Sequence, residues 1–251
     1  MEKKENKLQN VYNLVIMDKS GSMGSICDAA IEGFNDVLSG VRKLAKDYAD
    51  TKSQRISLVL FDTASMDVVA WNEDPEKVEF LNHDTYRPCA CTPLYDAMGR
   101  YLTKLEKEIG DEDASVMVTV ITDGYENAST DFHLKDIKEL INRLKEKGWS
   151  FAYMGTDHDV DSVTVDLSIT NVIKFEKNRE DTKKAFERER RAKERWMENE
   201  KAFFSNNPCY SREDRISFLK RSASHYYDED WKEKSEKSEK SEKSCKTKKS
   251  D

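Results

Sequence analysis

The chain of 251 residues is poor in the residues that staple or punctuate a fold, with five cysteines, four prolines and nine glycines. The cysteines, Cys27, Cys89, Cys91, Cys209 and Cys245, are odd in number and share no repeated spacing. That pattern excludes a disulfide framework and reads as free thiols. No apolar run approaches the roughly 18 residues of a membrane span, and the opening MEKKENKLQNVYN lacks the apolar stretch of a signal peptide. A soluble, cytoplasmic protein is the expectation. No glycine-rich loop ends in Gly-Lys-Ser or Gly-Lys-Thr, so the chain is not itself a P-loop ATPase. Net basic charge is also missing. The formal charge is -7, and the last twenty residues hold eight lysines against five acids, which leaves about -10 on the remainder. Nucleic acid is therefore not the expected main partner, because phosphate binding needs a basic face.

What the chain has in excess is charge of both signs, 36% against 37% hydrophobic residues. Packed domains carry roughly 25% charged residues. One ordinary core with a charged appendage follows. Residues 11–175 alternate short apolar runs with helical periods, an α/β pattern. Val11 to Met17, Ile56 to Phe61, Met66 to Trp71, Ser115 to Thr122, Phe151 to Met154 and Val172 to Phe175 read as strands. Ile26, Ala30, Phe34, Val37, Val41, Leu44 and Tyr48 form one helical stripe. Further helical periods cover Leu94 to Leu105 and Leu134 to Lys147, and a short turn covers Val160 to Val165. Thr92 reads as the cap of the Leu94 helix, with Pro93 at its first position. The short link Thr63 to Ser65 predicts a hairpin. The expected architecture is a doubly wound, mostly parallel sheet with one antiparallel edge strand and helices on both faces.

Residues 1–10 read as an N-terminal arm, 11–175 as the domain and 176–204 as a charged helix with a thin apolar line of Phe186, Trp196 and Phe203 or Phe204. That helix is expected to be largely solvated. Residues 205–231 contain aromatics without clear period, and 232–251 are a Lys/Glu/Ser tail too polar to offset the cost of ordering.

Two apolar strands end in aspartates, Asp18 and Asp123, and the carboxyl ends of parallel strands are where ligands gather. Ser20 and Ser22 follow Asp18 in Asp-Lys-Ser-Gly-Ser, and Thr92 adds a third hydroxyl. Two carboxylates and three hydroxyls are hard oxygen donors, suited to Mg2+ or Mn2+.

This set resembles the metal-ion-dependent adhesion site (MIDAS) of von Willebrand factor type A domains. The family signature has an Asp-x-Ser-x-Ser loop, a later threonine and an aspartate after the fourth strand; VIMDKSGSM, CTPLYDAM and VITDGYENAS match it at Asp18, Ser20, Ser22, Thr92 and Asp123. The stretches are most similar to stand-alone intracellular bacterial and phage-borne members. The resemblance covers residues 11 to about 175. It implies a Rossmann-like fold and a Mg2+ held by Ser20, Ser22 and Thr92, with Asp18 and Asp123 acting directly or through water. A glutamate or aspartate of a partner protein would complete the sphere. The implied function is a non-enzymatic, metal-dependent protein-binding module. One alternative is an adaptor or regulatory subunit of a separate ATPase or modifying enzyme. Another is a Mg2+-dependent phosphatase-like hydrolase, which would want a second aspartate where Ser20 stands. Capping alone would explain Asp18, Ser20 and Ser22, but not Thr92 and Asp123. Asp157, Asp159 and Asp161 imitate the start of a calcium loop that lacks its closing glutamate, Ser168 standing there. Cys89 and Cys91 read as unreactive small side chains beside Thr92.

Overall fold

The computed structural model describes residues 8–156, 160–207 and 209–231. The N-terminal residues 1–7, Asp157, Asp159, Cys245 and the Lys/Glu/Ser tail of the sequence reading lie outside this range. Among the described residues, β1 (Gln9–Asp18), β2 (Lys52–Phe61), β3 (Met66–Glu73), β4 (Ser115–Thr122), β5 (Ser150–Thr156) and β6 (Asn171–Phe175) form one sheet. Its order is β3-β2-β1-β4-β5-β6. Only β3 runs antiparallel, paired with β2 as the expected hairpin; all other neighbours are parallel. The chain leaves β1 toward β2 and later returns to β4 on the other side, so the order switches between β1 and β4. A crevice opens there at the strands' carboxyl ends.

Strands buried on both faces need apolar residues at nearly every position. In β1 the eight residues from Val11 to Asp18 are buried, and all of β4 and β5 are. Alternate residues serve two cores. Tyr12, Leu14, Ile16, Val116, Val118, Val120, Phe151 and Tyr153 face α2 (Leu94–Ile109) and α3 (Leu134–Glu146), near α4 (Val160–Asp166). Val11, Val15, Met17, Leu58, Met117, Ile121 and Met154 face the opposite layer, built from α1 (Cys27–Asp47), α5 (Arg179–Asn206) and α6 (Arg212–Ser224). No helix among the described residues is long and apolar enough to cross a membrane.

The charged helix departs from expectation. As α5 it is a packed layer, burying Ala185, Phe186, Ala192, Trp196, Met197 and Phe203 in the same cluster as the strands. Gly33 of α1 permits this close approach: a Cβ there would sit 2.2 Å from the Phe186 ring. A mid-helix glycine costs about 1 kcal/mol relative to alanine, and here it makes room for an aromatic ring. The aromatic segment also finds a place, because α6 with the residues after it buries Phe218, Leu219, Tyr226 and Tyr227.

Polar residues on this sheet face explain why α5 carries buried charge. Thr119 donates to Glu189 Oε1 at 2.6 Å, and Ser115 donates to Glu200 Oε1 at 2.7 Å. Lys193 pairs with Glu189 at 3.1 Å, while Lys52 and Arg215 approach Glu200 at 3.0 and 3.4 Å. Charges inside a protein persist when they are paired and hydrogen-bonded in this way.

Candidate metal centre

Asp18 is the last residue of β1, with Phe61 of β2 beside it in register, and Asp123 directly follows the last residue of β4. The switch in strand order thus brings residues about a hundred positions apart to one crevice. Asp18 is fully buried. Its Oδ1 accepts the Ser20 amide at 2.6 Å, and its Oδ2 accepts the Thr122 hydroxyl at 2.6 Å. The Tyr86 hydroxyl donates to the Asp18 carbonyl at 2.6 Å, which fixes the strand end. Burial pushes the Asp18 carboxyl up to about 6, despite those hydrogen bonds and aided by the nearby Asp123 charge. A cation placed here would be welcome on electrostatic grounds.

Ser20 and Ser22 enter from a tight 3-10 turn over Gly21–Ile26. Their hydroxyls lie 3.1 Å apart, and Ser22 donates to Asp123 Oδ1 at 2.6 Å. Lys19, between Asp18 and Ser20, points away to Asp67 and Asp62 at 2.7 and 3.4 Å and ties the loop to the β2–β3 hairpin. A second strand of loop braces the first: the Cys89 amide donates to the Lys19 carbonyl at 2.8 Å and the Gly21 amide to the Ala90 carbonyl at 3.1 Å. Ala90 adopts φ 57°, a left-handed conformation that turns the chain toward Thr92. Cys89 donates its thiol to Asp62 Oδ2 at 3.2 Å.

Thr92 is buried, but it is not the helix cap. The cap position of α2 is Pro93, with no side-chain capping bond, and the helix starts at Leu94. The free amides of its first turn are taken by the loop after β4: Glu126 Oε2 accepts from Tyr95 at 2.9 Å and Ser129 Oγ from Asp96 at 3.1 Å. Asp96 answers by accepting the amides of Thr130, Asp131 and Phe132 at 2.8 to 2.9 Å. The Thr92 amide itself donates to Asn127 Oδ1 at 2.9 Å. Its hydroxyl faces Gly124.

All five residues expected from the sequence meet at one point, and Gly124 marks it. A Cβ built on Gly124 would lie 3.3 Å from both Ser22 Oγ and Thr92 Oγ1, and 3.9 Å from Asp18 Oδ2. Asp123 Oδ2 is buried without a hydrogen-bond donor aligned to it, although Lys177 Nζ stands 3.1 Å away as an ion pair. An oxygen-lined cradle whose buried carboxylate oxygen already draws a cationic side chain fits a small hard cation. Among the described residues no group of three or more His, Cys, Asp or Glu side chains is arranged to hold a metal; the cradle at Gly124 is lined by hydroxyls as well as carboxylates. Asp161, the one carboxylate of the calcium-loop imitation within the described residues, pairs with Lys174.

Because the cradle is this narrow, Gly124→Ala is expected to weaken Mn2+ binding about tenfold, some 1.4 kcal/mol, with little change in melting temperature. Titration calorimetry beside a thermal melt checks both.

The family model of the von Willebrand factor type A domain matches residues 14–187. The chain belongs to that family. The sheet order and its antiparallel edge strand are those of a Rossmann-like type A fold. Among solved structures, the domain is similar to the pilus adhesin SpaC of Lactobacillus rhamnosus GG, at 11% identity and TM-score 0.54, covering 74% of this chain and 30% of that one. It is also similar to proximal thread matrix protein 1 from the mussel byssus, in a structure with a zinc-occupied MIDAS motif, at 12% identity and TM-score 0.51 over 72% of this chain and 47% of that one. The type A domain thus spans less than half the length of these proteins. No curated protein sequence matches the chain.

Sequence reasoning missed Thr122, Glu126, Asp96, Asn127 and Lys177. Thr122 and Asp96 carry a readable signal, a polar side chain on an otherwise apolar strand or helix stripe. The roles of Asn127 and Lys177 depend on contacts made only in three dimensions.

Proposed function

We propose that this type A domain is a non-catalytic, divalent-metal-dependent protein-binding module. The observation that carries the reading is the convergence of Asp18, Ser20, Ser22, Thr92 and Asp123 around one cradle at the β1/β4 switch. Those five residues would hold Mg2+, or Mn2+ in its place. Bound there, the ion supplies a Lewis-acid point able to take one carboxylate oxygen of a glutamate or aspartate on a partner protein. The zinc-occupied motif of proximal thread matrix protein 1, a protein of similar fold, supports the divalent-metal part of this reading.

The chain's own residues do the positioning. Burial and the Thr122 hydroxyl fix the Asp18 carboxylate, the Asn127 side chain fixes Thr92, and the Glu126–Asp96 lattice fixes the loop that carries Asp123 and Gly124. Tyr125, 46% exposed beside the cradle, belongs to the surface on which a partner would read this domain.

Affinity capture from lysate of the source cell tests the reading in three arms: Mg2+, EDTA, and Asp18→Ala in Mg2+. A retained protein lost in both other arms is expected, and replacing one of its acidic residues by the amide should abolish retention. Partners retained equally in all three arms would contradict it.

A further inference from the structure

We infer that Lys177 is a tethered competitor for the metal, a built-in cation that sets how tightly the cradle binds its ion. The inference rests on the metal-site reading above and adds a residue outside the five-residue signature.

Lys177 lies between the last residue of β6, Phe175, and the first of α5, Arg179. Both sides of it are anchored. Phe175 is buried in the core that α5 covers, and Asn178 caps α5 by accepting the Asp181 amide at 2.9 Å. With its backbone held, the side chain reaches across to Asp123, where Nζ stands 3.1 Å from Oδ2. The other oxygen, Oδ1, is already engaged by Ser22. The Asp123 side chain is wholly buried, while that of Lys177 is 32% exposed. The ammonium therefore plugs the solvent side of the carboxylate and has room to swing outward.

The charges decide what this contact does. Asp18 and Asp123 put two carboxylates in one buried crevice, and Lys177 sets one positive charge against them. A divalent ion drawing on Asp123 must share Oδ2 with the ammonium or displace it. Like charges a few ångströms apart repel strongly where water is scarce. Lys177 thus lowers metal affinity while protecting the carboxylate pair when no metal is present. A displaced ammonium would remain beside the cradle, held by its short tether.

The test compares wild type, Lys177→Met and Lys177→Arg, with Mn2+ as the probe in titration calorimetry and thermal unfolding in EDTA as a readout independent of metal. Lys177→Met is expected to bind Mn2+ about tenfold more tightly and to melt about 2–4 °C lower in EDTA, since Asp123 then lacks its counter-charge. Lys177→Arg, which keeps the charge, should stay near wild type in both. Equal or weaker Mn2+ binding by Lys177→Met would overturn the inference and leave the metal site standing. Failure of wild type and Lys177→Met alike to bind Mn2+ would overturn both.

Discussion

A chain ending at residue 175 is expected to show no cooperative unfolding transition and to collect in aggregates, although it retains all six strands and the five site residues. The reason is the layer it loses. Phe186, Trp196, Met197, Phe203 and Phe218 are buried in the same cluster as Val15, Met17, Leu58, Met117 and Met154. Each large apolar side chain contributes roughly 1.5–3 kcal/mol on burial, and a whole domain is stable by only about 5–15 kcal/mol. Losing five exhausts the margin. Truncation would also strip the partners from Thr119 and Ser115 and expose the α1 surface at Gly33, a patch of the kind that drives aggregation. A chain ending at 231 keeps every contact described here and serves as the control. Circular dichroism and size-exclusion chromatography of the two chains decide the matter, and a folded monomer from 1–175 would show that α5 is dispensable.

The second large effect is expected at Glu189. Its carboxylate is wholly buried, 3.1 Å from Lys193 Nζ, and accepts from Thr119 and Tyr227 at 2.6 Å and from Tyr226 at 3.2 Å. Glu189→Met takes the carboxylate from three hydroxyls and from a buried ammonium that keeps Thr119 Oγ1 at 3.3 Å as an acceptor but loses its counter-charge, and breaking such a pair costs about 3–5 kcal/mol. Glu189→Met with Lys193→Met should recover most of that loss, because a pair replaced by apolar groups is often neutral. Urea unfolding of the three proteins gives the comparison; a double variant no better than the single one would mean that the hydroxyls, and not the ion pair, dominate.

The same group predicts a pH dependence. Burial pushes the Glu189 carboxyl up, but Lys193, Thr119 and Tyr227 outweigh it and hold it below its ordinary 4.5. A depressed carboxyl favours the folded state at pH values above 4.5, and this contribution is lost as the pH falls through the folded-state value. Wild-type stability should therefore fall in the acid range more steeply than that of Glu189→Gln.

These two positions also show where sequence pattern runs out. The strands were legible because burial on both faces demands apolar runs, and Asp18 and Asp123 were legible because each stands where such a run stops. Helix α5 was legible as a helix but not as a packed layer, since Glu189, Lys193 and Glu200 occupy its buried stripe. A periodicity argument reads charge at those positions as a solvated face. The polar residues of β4, with Lys52, Arg215, Tyr226 and Tyr227, make them tolerable inside. Thr92 was expected beside Asp18 and Asp123, where the structure puts it, but was misread as a cap for a related reason: the groups that satisfy the first turn of α2 come from Glu126 and Ser129, more than thirty residues away. Lys177 had no local signal. Its meaning comes from a 3.1 Å approach to Asp123 that no spacing announces.

The proposed cation site draws five side chains from three segments of the chain. Direct titration of the purified chain with Mn2+, followed by calorimetry and by the electron paramagnetic resonance of the free ion, tests it most directly. One ion per chain is expected, displaced by Mg2+, lost in Asp18→Ala and in Asp123→Ala, and weakened in Thr92→Ala while the fold persists. Binding that survives all three substitutions, or no binding by wild type, would contradict it.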